Sequence, residues 1–81
     1  MSEVSIIFKV YPAEGNIEEL VQEINKLKPK DIKTEEIGFG IKIAKVMFVF
    51  DDTKTSSSKI EEMLKNSKGV GEVEVEEESL L

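Results

Sequence analysis

The chain has 81 residues with no cysteine, histidine or arginine; its 11 positive charges are all lysines, against 17 acidic residues, and the net charge is −6. That excludes disulfides, zinc–thiolate sites, Ser-His and Cys-His nucleophile pairs, and a bidentate guanidinium clamp for phosphate. The acidity disfavours a phosphate backbone as a partner, and no apolar run approaches the ~18 residues that span a bilayer.

Residues 1–81 are expected to form one small domain held together by core packing, with no covalent staple. The N-terminus has neither a basic n-region nor an apolar h-region with a cleavage site, so the expected location is the cytoplasm. Val4, Ile6, Phe8 and Val10 alternate with Ser5, Ile7, Lys9 and Tyr11, which predicts a strand ended by Pro12. Ala13-Glu14-Gly15 predicts a turn. Asn16 with Glu19 resembles a capping box, and Ile17, Leu20, Val21, Ile24 and Leu27 follow at helical spacing up to Pro29.

Lys30 to Ile37 is polar, with Ile32 and Ile37 its only aliphatic residues, as expected of a charged edge strand. Ile41 to Phe50 predicts a long apolar strand, ended by Asp51-Asp52. Ser58 with Glu61 is the best-fitting cap for a second helix carrying Ile60, Met63 and Leu64, and Gly69 is its expected C′ residue. Gly71 to Glu77 alternates again, with Val73 and Val75 on one face and Glu72, Glu74 and Glu76 on the other; Ser79-Leu80-Leu81 is a short tail.

The order strand, helix, strand, strand, helix, strand predicts an α+β, ferredoxin-like βαββαβ sandwich. Its four-stranded antiparallel sheet would have the order 4-1-3-2 and both helices on one face. The other face would then be open and show Ile7, Tyr11, Ile41, Ile43, Met47 and Val49, with Lys9, Lys42 or Lys45 nearby. Such a patch marks a contact surface, and a homodimer through it is the alternative to the expected monomer.

Phe39 stands between Gly38 and Gly40 in Ile37-Gly38-Phe39-Gly40-Ile41-Lys42, at the tip of the second hairpin. One reading folds Phe39 back as a lid on the core. The other presents the ring to a partner, on glycines that permit backbone angles other residues avoid.

Little else points to chemistry. Asp51-Asp52 could hold a hard cation, but such pairs more often end local structure. The Glu72–Glu78 run reads as a solvated edge or as a surface for a lysine-rich partner. The Gly-Phe-Gly tip joins two strands and is no phosphate loop. Among ferredoxin-like folds, an RNA-recognition module would need outward aromatics on a positive surface, a metallochaperone Cys-x-x-Cys, and an acylphosphatase-like enzyme arginine. The chain is therefore expected to use no metal and no cofactor and to be no enzyme.

The Ile37–Lys42 segment, the apolar strand ending Phe50-Asp51-Asp52, the short helix and the valine-rich last strand resemble the guanine-nucleotide exchange domain of translation elongation factor 1-beta. The likeness runs from Val4 to Leu81. As the chain carries this domain alone, it is similar to the short archaeal form. The resemblance implies that it binds the GTPase elongation factor 1-alpha, speeds GDP release and lets GTP reload. The acidic balance and the lack of a membrane-length apolar run add the expectation of no direct nucleic-acid or membrane contact. The implied partner-binding residues are Gly38, Phe39, Gly40 and Lys42 at the tip, and Ser79, Leu80 and Leu81 at the end that reaches toward the magnesium and phosphate site. Eukaryotic members carry a penultimate lysine there; this chain has Leu80, so no terminal ammonium can compete for the magnesium position. The alternative, from the residues alone, is a ligand-sensing or dimerisation module without a GTPase partner.

Overall fold

A computed structural model describes residues 2–14 and 16–81. The elements are β1 (Glu3–Pro12), α1 (Ile17–Asn25), β2 (Asp31–Gly38), β3 (Ile41–Asp51), α2 (Ser57–Lys65) and β4 (Val70–Leu80). The sheet order is β2-β3-β1-β4 and every neighbouring pair is antiparallel, which is the expected 4-1-3-2 arrangement.

The alternation of β1 dictates the core. Ile6, Phe8 and Val10 point to the helices, opposite Phe48, Val46 and Ala44 of β3. Leu20 and Ile24 of α1 and Ile60 and Leu64 of α2 close over them, with Val73 from β4. The rings of Phe8 and Phe48 meet edge to face at 6.2 Å between centroids, a favoured aromatic geometry.

The helix ends depart from expectation in detail. The Asn16 side chain accepts the backbone N–H of Glu19 at 3.1 Å and donates to its carboxylate at 3.2 Å, so the predicted N-terminal pairing holds. Gly15 of the expected turn lies outside the described residues. α1 stops at Asn25, short of Pro29. Leu27 and Lys28 donate to the carbonyls three residues back, and Lys28 takes a left-handed φ of 56° that reverses the chain before the proline. The cap of α2 is Ser56, not Ser58: its Oγ accepts the Lys59 N–H at 3.3 Å. Three consecutive serines offer the same cap chemistry. The start that turns Ile60 and Leu64 to the core decides among them. Gly69 follows α2 by four residues, at φ 86° in the Ser67–Val70 turn, and is not its C′ residue.

The helix-free face is less open than expected. Ile43 is fully buried there, and Ile7, Tyr11 and Met47 are partly covered. Charges crossing the sheet do part of this. Lys45 lies 3.1 Å from both Glu35 and Glu76, and Lys9 lies 3.6 Å from Glu76. Lys42 is on the other side, beside Ile17, Val21 and Thr34 next to α1, because it alternates in step with Ala44. Val75 faces the helix side opposite Phe8 yet is half exposed, since β4 is an edge strand with nothing beyond it.

Candidate partner-binding site

Gly38 pairs with Ile41, so Phe39 and Gly40 alone make the hairpin loop. Their φ values are 54° and 75°. Both central residues of a type I′ turn need positive φ, and asparagine is the usual first residue. Phenylalanine in that place costs about 1–2 kcal/mol of backbone strain. Gly38 sits at φ 123°, outside the range of L side chains, and both glycines have open space around an added Cβ. Glycine is therefore required here by backbone angle and not by crowding.

The Phe39 ring is fully exposed, at 105 % of its reference area. The lid reading is thus overturned: the left-handed turn aims the ring off the end of the sheet, where no core surface lies within reach. Leaving such a ring in water forgoes about 1.5–3 kcal/mol of burial. Backbone strain of this kind clusters at functional sites, which makes Phe39 the candidate residue.

The carboxy-terminal candidates are not a loose tail. Ser79 pairs with Ser5 and Leu80 with Val4, and the Leu81 N–H donates to the Glu3 carbonyl at 2.9 Å. Leu80 and Leu81 are nevertheless mostly exposed. Topology puts them at the opposite end of the sheet from the tip, because Val4 pairs with Phe50 while the tip adjoins Ile41. The run of β3 between those residues, at about 3.3 Å per residue, separates the two groups by roughly 30 Å. The molecule measures 42 Å along its longest axis. The tip residues Gly38, Phe39 and Gly40 come together; Lys42 turns away toward α1; Ser79, Leu80 and Leu81 form a separate group.

The tip also contains two residues that sequence reading did not assign to the site, Ile37 and Ile41. Ile37 is an extra residue between the Glu36–Lys42 and Gly38–Ile41 pairs, so it and Gly38 together oppose Ile41. The available signal was an isoleucine breaking the polar run of β2 immediately before a glycine.

The side-chain electrostatics belong to the sheet rather than to a reaction centre. Hydrogen bonds from Lys45 to Glu35 first and then to Glu76 hold its pKa above the ordinary lysine value. The Tyr11 hydroxyl donates to Glu74 Oε1 at 2.8 Å, and this bond, with partial burial and the charges of Glu74 and Glu72, raises the phenol. The Asp51 carboxylate accepts the backbone N–H of Thr53 at 2.9 Å and its hydroxyl at 2.7 Å, which lowers its pKa. Asp51 is thereby committed to ending its strand. Among the described residues, no three His, Cys, Asp or Glu side chains are grouped to hold a metal ion. No helix among them is long and apolar enough to cross a membrane.

A four-stranded antiparallel sheet in βαββαβ order, backed by two helices and ending in a hairpin that exposes an aromatic, defines a ferredoxin-like α+β domain. Residues 5–81 match the family described as the EF-1 guanine nucleotide exchange domain. The chain is 42 % identical to elongation factor 1-beta of Pyrobaculum aerophilum over 83 residues, covering 93 % of this chain and 90 % of that one. It is 36 % identical to the Ignicoccus hospitalis protein of the same name, covering 94 % and 89 % of the two chains. Against that of Thermoplasma volcanium it is 30 % identical over the whole of both. The chain belongs to the EF-1 guanine nucleotide exchange domain family. Its function is guanine-nucleotide exchange on the GTPase elongation factor 1-alpha in translation elongation.

Proposed function

We propose that exchange is carried out by two contacts at opposite ends of the sheet: the Phe39 tip, held by Gly38 and Gly40 with Lys42 offering a charge on the α1 side of that end, and the Ser79–Leu81 end. The chain then acts as a binding factor and makes or breaks no covalent bond. An exchange factor that binds the nucleotide-free GTPase more tightly than the GDP-bound form must, by linkage, weaken GDP by the same factor. Two anchors roughly 30 Å apart suit this task, because only a GTPase conformation presenting both receptor surfaces at that spacing satisfies them together. The observation that carries the reading is the fully exposed Phe39 ring at φ 54°.

Leu80 and Leu81 place apolar side chains, and no ammonium, at the second end. The work there is displacement of a GTPase element by apolar contact, not competition for the magnesium position. The chain functions in the cytoplasm as a monomer, without direct contact to nucleic acid, in keeping with its net charge of −6.

Stopped-flow release of fluorescent GDP from elongation factor 1-alpha tests this reading. Micromolar chain should accelerate release, and Phe39→Ala should slow the accelerated rate about tenfold or more at subsaturating concentration, while melting close to the parent. No acceleration by the parent, or full acceleration by the variant, would sink it.

A further inference from the structure

Edge strand β2 guards itself with charge: Asp31, Lys33, Glu35 and Glu36 are exposed, and Ile32 packs inward against the core. Ile37 breaks that rule at the strand's last turn before the tip. It is 50 % exposed, and Ile41 opposite is 51 % exposed. The β2–β3 register sets them together: the ladder that pairs Asp31 with Met47 and Glu36 with Lys42 carries Ile37 up to Ile41, and the bulge then gives Ile41 Gly38 as its partner and closes the loop to Phe39 and Gly40. Beneath them on the same face of β3, Ile43 is fully buried and supplies a rigid base.

We propose that Ile37 and Ile41 join Phe39 in a single apolar docking surface that enters an apolar pocket of the GTPase, with the bulge at Ile37 closing the two-residue turn that presents the ring. The proposal rests on the tip reading above. The three side chains flank one another without an intervening polar residue: the positions between them are Gly38 and Gly40. They offer on the order of a few hundred Å², well short of the ~800 Å² per partner of a stable interface. That area fits one anchor of a larger contact and is too small for self-association of the chain. A ring alone can enter a pocket; flanking aliphatic side chains seal its rim against water, as surrounds of binding hot spots do.

The test measures affinity for nucleotide-free elongation factor 1-alpha with the full chain. Ile37→Thr and Ile41→Thr keep a β-branched residue on the strand and remove apolar surface. Val75→Thr is the control, 48 % exposed on the other edge strand. Each isoleucine variant should weaken binding about fivefold or more, melt alongside Val75→Thr, and slow GDP release at subsaturating concentration by a similar factor. Val75→Thr should bind as the parent does. Ile41→Thr combined with Phe39→Ala should weaken binding less than the product of the two, because both lose the same pocket. If the isoleucine variants bind like Val75→Thr while Phe39→Ala binds poorly, the ring acts alone and this proposal is wrong though the tip reading stands. If Phe39→Ala also binds normally, both fall. Should the free chain prove to be a dimer that Ile37→Thr dissociates, the surface belongs to a second copy and the assignment to the GTPase is overturned.

Discussion

The Glu76 carboxylate lies 3.1 Å from the Lys45 ammonium, although β1 runs between the strands that carry them. The pairing jumps from Phe8–Val75 to Ile7–Glu77, leaving Glu76 as the extra residue of a bulge in β4. An unpaired bulge residue is free to lean across the face, and here it reaches two strands inward. With Lys9 and Glu35 it ties all four strands together on the side no helix covers.

This network should matter more in heat and low salt than at room temperature, because ion desolvation costs less at high temperature and salt screens exposed pairs. Lys45→Met should melt below the parent at neutral pH, by a margin that shrinks as salt is added. The sign with pH follows from the raised pKa of Lys45: its stabilising effect is whole below the ordinary lysine value of about 10.4 and disappears as pH rises through the raised one. Melting curves of parent and variant should therefore converge at the alkaline end. A gap that persists there would mean the loss is packing and not charge.

Tyr11 is the only tyrosine and there is no tryptophan, so phenolate absorbance reports this one group. Its titration should be displaced above pH 10 in the parent, chiefly by the hydrogen bond to Glu74. Glu74→Ala should bring the midpoint back toward the ordinary tyrosine value of about 10. An unchanged midpoint would show that the bond is not kept in solution.

Phe39→Asn separates stability from function more sharply than truncation does. Asparagine followed by glycine is the preferred type I′ pair, so the variant should relieve strain and gain about 1 kcal/mol of stability. It should lose exchange activity about as fully as Phe39→Ala. A variant that melts higher and exchanges slowly would identify the tip as a place where stability is given up for binding. One that melts lower would contradict the left-handed turn.

At the far end, Leu80 and Leu81 can be replaced together by serine without removing the backbone pairing to Val4 and Glu3. The double variant should melt near the parent and exchange several-fold more slowly. Deleting residues 79–81 should do both kinds of damage, since it strips the start of β1 of its β4 partner. If the double-serine variant exchanges at the parental rate, the two leucines have no part in the reaction.

The order of elements, the strand order and the positions of the core were legible from local pattern: period-two alternation in Val4–Val10, a helical stripe from Ile17 to Ile24, and punctuation by Pro12, Gly38 and Gly40. These signals lie in neighbouring residues, and the βαββαβ order leaves one right-handed way to join them. The flanking glycines likewise singled out Phe39. Other features depended on contacts between residues distant in sequence. Which of three serines caps α2 was settled by the demand that Ile60 and Leu64 reach the core. The bulges at Ile37 and Glu76 insert one residue each and depend on register against a partner strand, to which local periodicity is blind. Ile43 is buried on the face without helices because neighbouring strands supply cover there. Whether Phe39 folds inward or stands free could not be decided by two glycines that permit both; the left-handed backbone of the closed hairpin, set by the pairing of Gly38 with Ile41, turned the ring outward.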